Sequence, residues 1–210
     1  NKIEFKDEKI DLYEKELINN LQWYLKTPFP EIATLKEDIS IRKYLDDFII
    51  SRIISYDLKS EFRDVDIILL DNLKNLFFEN PGMILNIDAL ARNLKRGKEI
   101  LIRHINYLEQ GLIIRILKNY RRGALSSTRK LKKVYPYSQS FYFSSDESKI
   151  IENAVISELN AKHYWRDGEK EVDIVIKDKP VEIKYKNNIK DEEINNLKYF
   201  MKKFKTKEGY

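Results

Sequence analysis

Between Glu171 and Lys186 the chain reads Glu-Val-Asp-Ile-Val-Ile, then Lys-Asp-Lys-Pro, then Val-Glu-Ile-Lys-Tyr-Lys. Both flanks alternate apolar with charged residues, the period of half-buried strands, and the four residues between them form the turn of a hairpin. Pro180 is suited to open the second strand, where no ladder donor is lost. Val181, Ile183 and Tyr185 then share one face, and Glu182 and Lys184 the other. In the first strand Asp173 lies opposite Val172, Ile174 and Ile176. The hairpin therefore gathers Asp173, Glu182 and Lys184. Two carboxylates and an ammonium held together suit a divalent cation and can polarise a water or a phosphate. A solvated strand face is the competing reading, since 35% of the chain is charged.

Working outward, Glu152 sits in Ile-Ile-Glu-Asn-Ala-Val-Ile-Ser-Glu-Leu, a helix that precedes the hairpin. Tyr164-Trp165-Arg166 comes after it, and a helix from Asp191 to Phe204 comes after the hairpin. The order Asp, spacer, Glu-x-Lys resembles the PD-(D/E)XK nuclease superfamily, with Glu-Val-Asp standing where that name has Pro-Asp. The resemblance implies a restriction-endonuclease-like α/β domain. It implies that Asp173, Glu182 and the Ile183 carbonyl hold Mg²⁺, and that Glu152 adds a ligand or orients water. Lys184 would stabilise charge developing on the phosphate or help deprotonate water.

A longer stretch, Val134 to Lys186, is similar to the region C-terminal to the P-loop domain in archaeal and bacterial AAA-type ATPases. The matching motifs are Lys132-Lys133-Val134-Tyr135, Glu152-Asn153-Ala154-Val155, Tyr164-Trp165-Arg166, Glu171-Val172-Asp173 and Val181-Glu182-Ile183-Lys184-Tyr185. Pro28-Phe29-Pro30-Glu31-Ile32 and Ile53-Ile54-Ser55-Tyr56-Asp57-Leu58 resemble the segment just past the ATPase core. The resemblance implies a C-terminal portion of a larger ATPase, partnered by that ATPase domain. Six glycines build no G-x-x-x-x-G-K-[ST], since Gly97-Lys98 is followed by Glu99, so ATP is not expected to bind. At Gly209-Tyr210 the family supplies a further strand, which is expected to be missing here.

Charge is segregated. From Arg92 to Lys133 thirteen Lys or Arg face two acids, a local +11 within a net +5, so everything else sums to −6. Such a patch faces a polyanion, and duplex DNA is the expected partner. Along it run an amphipathic helix over 64–80, a short helix capped at Asn86-Ile87-Asp88, and a third helix, Lys98 to Gln110, stopped by Gly111. Leu101, Ile105 and Leu108 form the buried stripe of that third helix, leaving Arg103 and Asn106 outside. Strands Leu112 to Tyr120 and Arg129 to Tyr137 come next, joined by a basic tip. This is the pattern of a winged helix-turn-helix, which sets its third helix in the major groove and its wing on phosphates. The expected DNA contacts are Arg96, Lys98, Arg103, Asn106, Arg121, Arg122, Arg129, Lys130, Lys132 and Lys133. A plain domain connector is the alternative.

The expected fold class is therefore α/β (α+β). Residues 1–60 form a helical connector, 61–130 a winged helix, and 131–210 a nuclease-like domain. The function expected is DNA binding coupled to a Mg²⁺-dependent nuclease site; the alternative is a catalytically silent nuclease-like fold used for protein or DNA recognition in a regulatory ATPase. No run of 18 apolar residues and no signal peptide is present, so a cytoplasmic protein away from membranes is expected. The absence of cysteine excludes disulfides and thiolate metal sites. His104 reads as an exposed helical residue, His163 as a strand-edge residue and Trp165 as core. Tyr13, Leu17, Ile18, Leu21, Trp23 and Tyr24 read as a buried helical face.

Overall fold

The computed structural model describes residues 10–26, 38–121, 131–141, 146–186 and 188–210. Residues 28–32, Arg122, Arg129 and Lys130 fall outside them, as does the side chain of Tyr13. The protein mixes α-helices with a curled sheet of mixed direction. No described helix is long and apolar enough to cross a membrane.

Helix α1 (Ile10–Lys26) leads into a second helical run. That run begins as α2 (Asp38–Lys43), widens into π-helical turns at Tyr44–Ile50 and Ile53–Asp57, and closes as α3 (Leu58–Glu61). Its buried residues are Ile41, Leu45, Ile50, Ile54 and Leu58. The five-residue step from Leu45 to Ile50 is too long for one α-turn. The wider i→i+5 winding keeps all five on one face. The apolar face of α1 does not follow suit: Leu17, Ile18 and Leu21 are about half exposed, against expectation. Helix α1 touches the turn at Gln139–Phe141 and the helix Glu147–Glu158, and Tyr24 reaches Glu158 through its hydroxyl.

Next come α4 (Ile67–Glu79), β1 (Met83–Ile84), α5 (Ile87–Leu94), α6 (Lys98–Gln110), β2 (Ile114–Asn119) and β3 (Lys132–Pro136). Helix α4 starts later than the hydrophobic pattern suggests, because Asp66 is its cap. The Asp66 carboxylate accepts the Leu69 N–H at 3.0 Å. Asn86 caps α5 in the same way through Ala89 N–H, as its position predicts. Leu69, Leu70, Leu73 and Phe77 of α4 share one core with Leu101, Ile105 and Leu108 of α6 and with the helical run.

Strand β3 lies between β1 and β2, antiparallel to both. The sheet does not end there. Strand β4 (His163–Asp167) adds parallel to β2, and β5 (Lys170–Val172) adds antiparallel to β4, giving the order β1-β3-β2-β4-β5. Helix α7 (Glu147–Glu158) lies before β4, and α8 (Asn195–Phe204) packs near the C-terminal end.

The decisive hairpin forms, with one change. A single strand from Glu171 to Ile176 is expected, but the chain breaks at Asp173. Val172 and the residues before it pair with β4, whereas β6 (Ile174–Ile176) pairs with β7 (Lys179–Val181). The turn is shorter than four residues: Lys177 and Asp178 alone make it, both left-handed (φ 47° and 67°). That is the conformation a two-residue hairpin loop requires. Pro180 lies within the strand, opposite Val175. Both faces of β6 are buried, which alternation does not predict: Ile174 packs with Ile156, Ala161 and Tyr164, and Val175 with Trp165, Phe200 and Phe204. Beyond β7, Tyr210 enters alongside, donating its N–H to the Pro180 carbonyl and accepting from Glu182 N–H at 2.7 Å. These two bonds bridge Tyr210 to Val181 in parallel sense.

Candidate functional site

The break at Asp173 builds the site. In the β6–β7 ladder Ile174 stands opposite Val181, so Asp173 stands opposite Glu182, one step further on. An unbroken ladder would turn the Ile183 N–H toward Val172. Here the Asp173 carboxylate takes it instead, at 2.8 Å. Two residues on, Lys184 returns to Glu182: its ammonium lies 2.6 Å from one carboxylate oxygen. The second oxygen of Glu182 is buried with no hydrogen-bond partner among the described residues. A buried carboxylate oxygen without a donor is costly, and its side chain is only 9% exposed.

Glu152 arrives from α7. Its carboxylate accepts a 2.7 Å hydrogen bond from the Tyr135 hydroxyl on β3. Burial raises the pKa of Glu152, and the negative charge of Asp173 adds to the rise. Burial likewise pushes Asp173 up, against the pull of the Ile183 amide and Lys184. For Glu182 burial comes first and Asp173 second. Burial disfavours the Lys184 ammonium, but Glu182 and Asp173 outweigh it and hold that pKa above the ordinary lysine value. Three acids thus share a place poor in water with the ammonium groups of Lys184 and Lys133.

Two residues, Lys133 and Tyr135, belong to the cluster although the sequence reading did not place them there. Lys133 is buried and ion-paired with Glu171, which also lies 3.6 Å from Arg166. Tyr135 is 1% exposed and its hydroxyl pKa is driven well up by burial and by Glu152. The strand period puts Lys133 and Tyr135 on one face of β3 but does not say what that face meets.

The donor set suits a hard divalent cation, which takes oxygen ligands and one or two carboxylates together with water or phosphate. Asp173 and Glu182 supply carboxylates, and Ile183 contributes a backbone carbonyl between Glu182 and Lys184. Among the described residues no three His, Cys, Asp or Glu side chains stand close enough to hold an ion by themselves. A bound ion would therefore share its shell with backbone and water or substrate oxygens.

The expected DNA contacts divide into groups. Arg96 is 3.1 Å from Asp66 and Arg103 is 3.3 Å from Asp64; Lys98 pairs with Asp88. Asn106 is exposed on α6, and Lys132 is half-buried on β3. Arg121 turns its guanidinium toward the Arg166 carbonyl at 3.5 Å. Lys133, expected on phosphates, instead points into the acid cluster. His104 is not an exposed helical residue: it is 2% exposed. Its Nε2 accepts the Asp66 N–H at 2.9 Å, and Nδ1 donates to the Ile100 carbonyl at 2.8 Å. His163 lies in an interior strand, and burial lowers its pKa, with Lys118 and Lys162 adding to the effect. Trp165 is fully buried against Phe200 and Phe204, as expected.

Compared with protein-family profiles, curated proteins and solved structures, the chain finds no match.

Proposed function

We propose that the chain binds duplex DNA and carries beside the DNA surface a Mg²⁺-dependent phosphodiesterase site of the PD-(D/E)XK kind. The observation that carries this reading is the meeting of Asp173, Glu182 and Lys184 at the β5–β6 break and the segment after β7, with one Glu182 oxygen left unpaired among the described residues and the charge of Asp173 felt by Glu152 on α7. Mg²⁺ held by Asp173, Glu182 and the Ile183 carbonyl would supply Lewis-acid stabilisation of the phosphate and an activated water. Glu152 orients that water or adds a ligand. Lys184, already held charged by its neighbours, neutralises the negative charge that builds on the phosphate.

The DNA-binding half rests on the order α4–β1–α5–α6–β2–β3 with strands arranged β1-β3-β2. That order fits a winged helix, with α6 as the groove helix. Exposed Asn106 and the rim residues Arg96, Lys98 and Arg103 then face the duplex. Motif similarity to the C-terminal region of AAA-type ATPases supplies the setting: a DNA-engaging portion working with an ATPase domain, in the cytoplasm.

A second reading has an observation of its own. Lys184 is closed onto Glu182, and among the described residues no three acids form a metal cage by themselves. A silent nuclease-like fold used for recognition would look this way. Cleavage decides between them. With Mg²⁺ or Mn²⁺ present, supercoiled and linear DNA should be cut, and Lys184→Ala should abolish cutting while leaving DNA affinity intact. Undiminished cutting by Lys184→Ala overturns the catalytic assignment. DNA binding without any cutting by the wild-type chain supports the recognition module.

A further inference from the structure

We infer that Tyr135 is a positioning residue for Glu152, so that β3 forms one wall of the acidic site; this rests on the metal-site reading above. Three observations converge. The Tyr135 hydroxyl donates to Glu152 at 2.7 Å, across 17 residues and from a different element. The ring has little freedom, being 1% exposed and covered by Gly82. Gly82 holds φ at +80°, and a Cβ there would lie 3.0 Å from the Tyr135 hydroxyl oxygen. A glycine in a left-handed turn is what lets the backbone approach the ring so closely. Finally, Lys133 is on the same face of β3 and pairs with Glu171 in the same cluster. One strand face thus presents two groups to the acids.

The physical consequence concerns Glu152. A glutamate has three side-chain torsions and loses rotamer freedom when it is fixed as a ligand. A donor clamped to one carboxylate oxygen lowers that cost beforehand and leaves the other oxygen for an ion or water. Carboxylates that serve metals are generally held by such outer partners, and removing one typically weakens metal binding about 10- to 100-fold. The bland reading is that a buried tyrosine hydroxyl merely found an acceptor. It predicts no effect on metal affinity.

The test uses the full chain and Mn²⁺ alone, with affinity measured by calorimetry and bound-ion spectroscopy. Tyr135→Phe keeps the ring against Gly82 and removes only the hydroxyl. The inference expects Mn²⁺ affinity to fall about 10- to 100-fold, with cooperative unfolding retained. It also expects the Tyr135→Phe/Glu152→Ala double variant to bind no more weakly than Glu152→Ala, because both substitutions remove one interaction. Wild-type binding matched by Tyr135→Phe overturns this inference and leaves the metal site standing. Additive losses in the double variant overturn it as well. No Mn²⁺ binding by the wild-type chain overturns the metal-site reading, and the positioning role with it.

Discussion

Asp173 accepts the backbone N–H of Ile183 at 2.8 Å, so the carboxylate that faces Glu182 also closes the ladder its own strand has left. It is thus more than a strand-face charge anchoring nothing. Asp173→Asn and Asp173→Ala both remove the charge, but only asparagine keeps an oxygen for that amide. The alanine variant should be less stable than the asparagine variant by about 1–3 kcal/mol, the cost of an orphaned buried donor. Urea unfolding of the pair measures the difference. Equal stability would show that the bond contributes nothing.

The acid cluster makes stability depend on pH in a specified direction. Glu152, Asp173 and Glu182 all have pKa values raised in the folded state, chiefly by burial. A carboxyl that holds its proton more tightly when folded favours folding at low pH. That advantage is lost as pH climbs from the ordinary carboxylate value through the raised one. Lys184, raised as well, contributes fully below the ordinary lysine value, so it does not vary in this window. Without metal, Glu182→Gln should raise the melting temperature relative to wild type at pH 8, and the gain should shrink toward pH 4. A gain of equal size at every pH would contradict the account.

His104 serves the fold. It joins α6 to the cap of α4 by accepting the Asp66 N–H at 2.9 Å. His104→Ala should cost about 1–3 kcal/mol through that amide alone. A loss below about 0.5 kcal/mol in urea unfolding, the range of an ordinary surface substitution, would restore the exposed reading.

The features legible in the sequence are those set by local physics. Asn86 and Gly111 bound their helices where capping places them, and alternation put Asp173, Glu182 and Lys184 within one hairpin. The break at Asp173 was invisible, because a strand that changes partner keeps its period while its ladder moves to another sheet. His104 misled because Arg103 beside it is exposed, and one residue on a helix turns the side chain by about 100°. Tyr135 and Lys133 were missed for a different reason. Their partners are distant in sequence, and period alone does not say which face of β3 meets α7.

The proposed DNA surface predicts an asymmetry among its basic residues. Lys133 is buried with Glu171, so Lys133→Met should leave the salt dependence of duplex binding unchanged. Arg103 is exposed but shared with Asp64 at 3.3 Å. Asp64→Asn should free it, tighten low-salt binding and steepen the log–log salt slope by about 0.9, the increment for one added phosphate contact. A slope that falls in Lys133→Met would place that lysine on phosphates after all, and a flat response in Asp64→Asn would remove Arg103 from the interface as drawn.

The central claim is that Asp173 and Glu182 share a divalent cation. Crystals of the full chain soaked in Mn²⁺ and measured at an energy where manganese scatters anomalously test it most directly. The account predicts an anomalous peak bounded by the Asp173 and Glu182 carboxylates and lost in Asp173→Asn crystals treated identically. A soaked wild-type crystal with no peak between those two residues would contradict it.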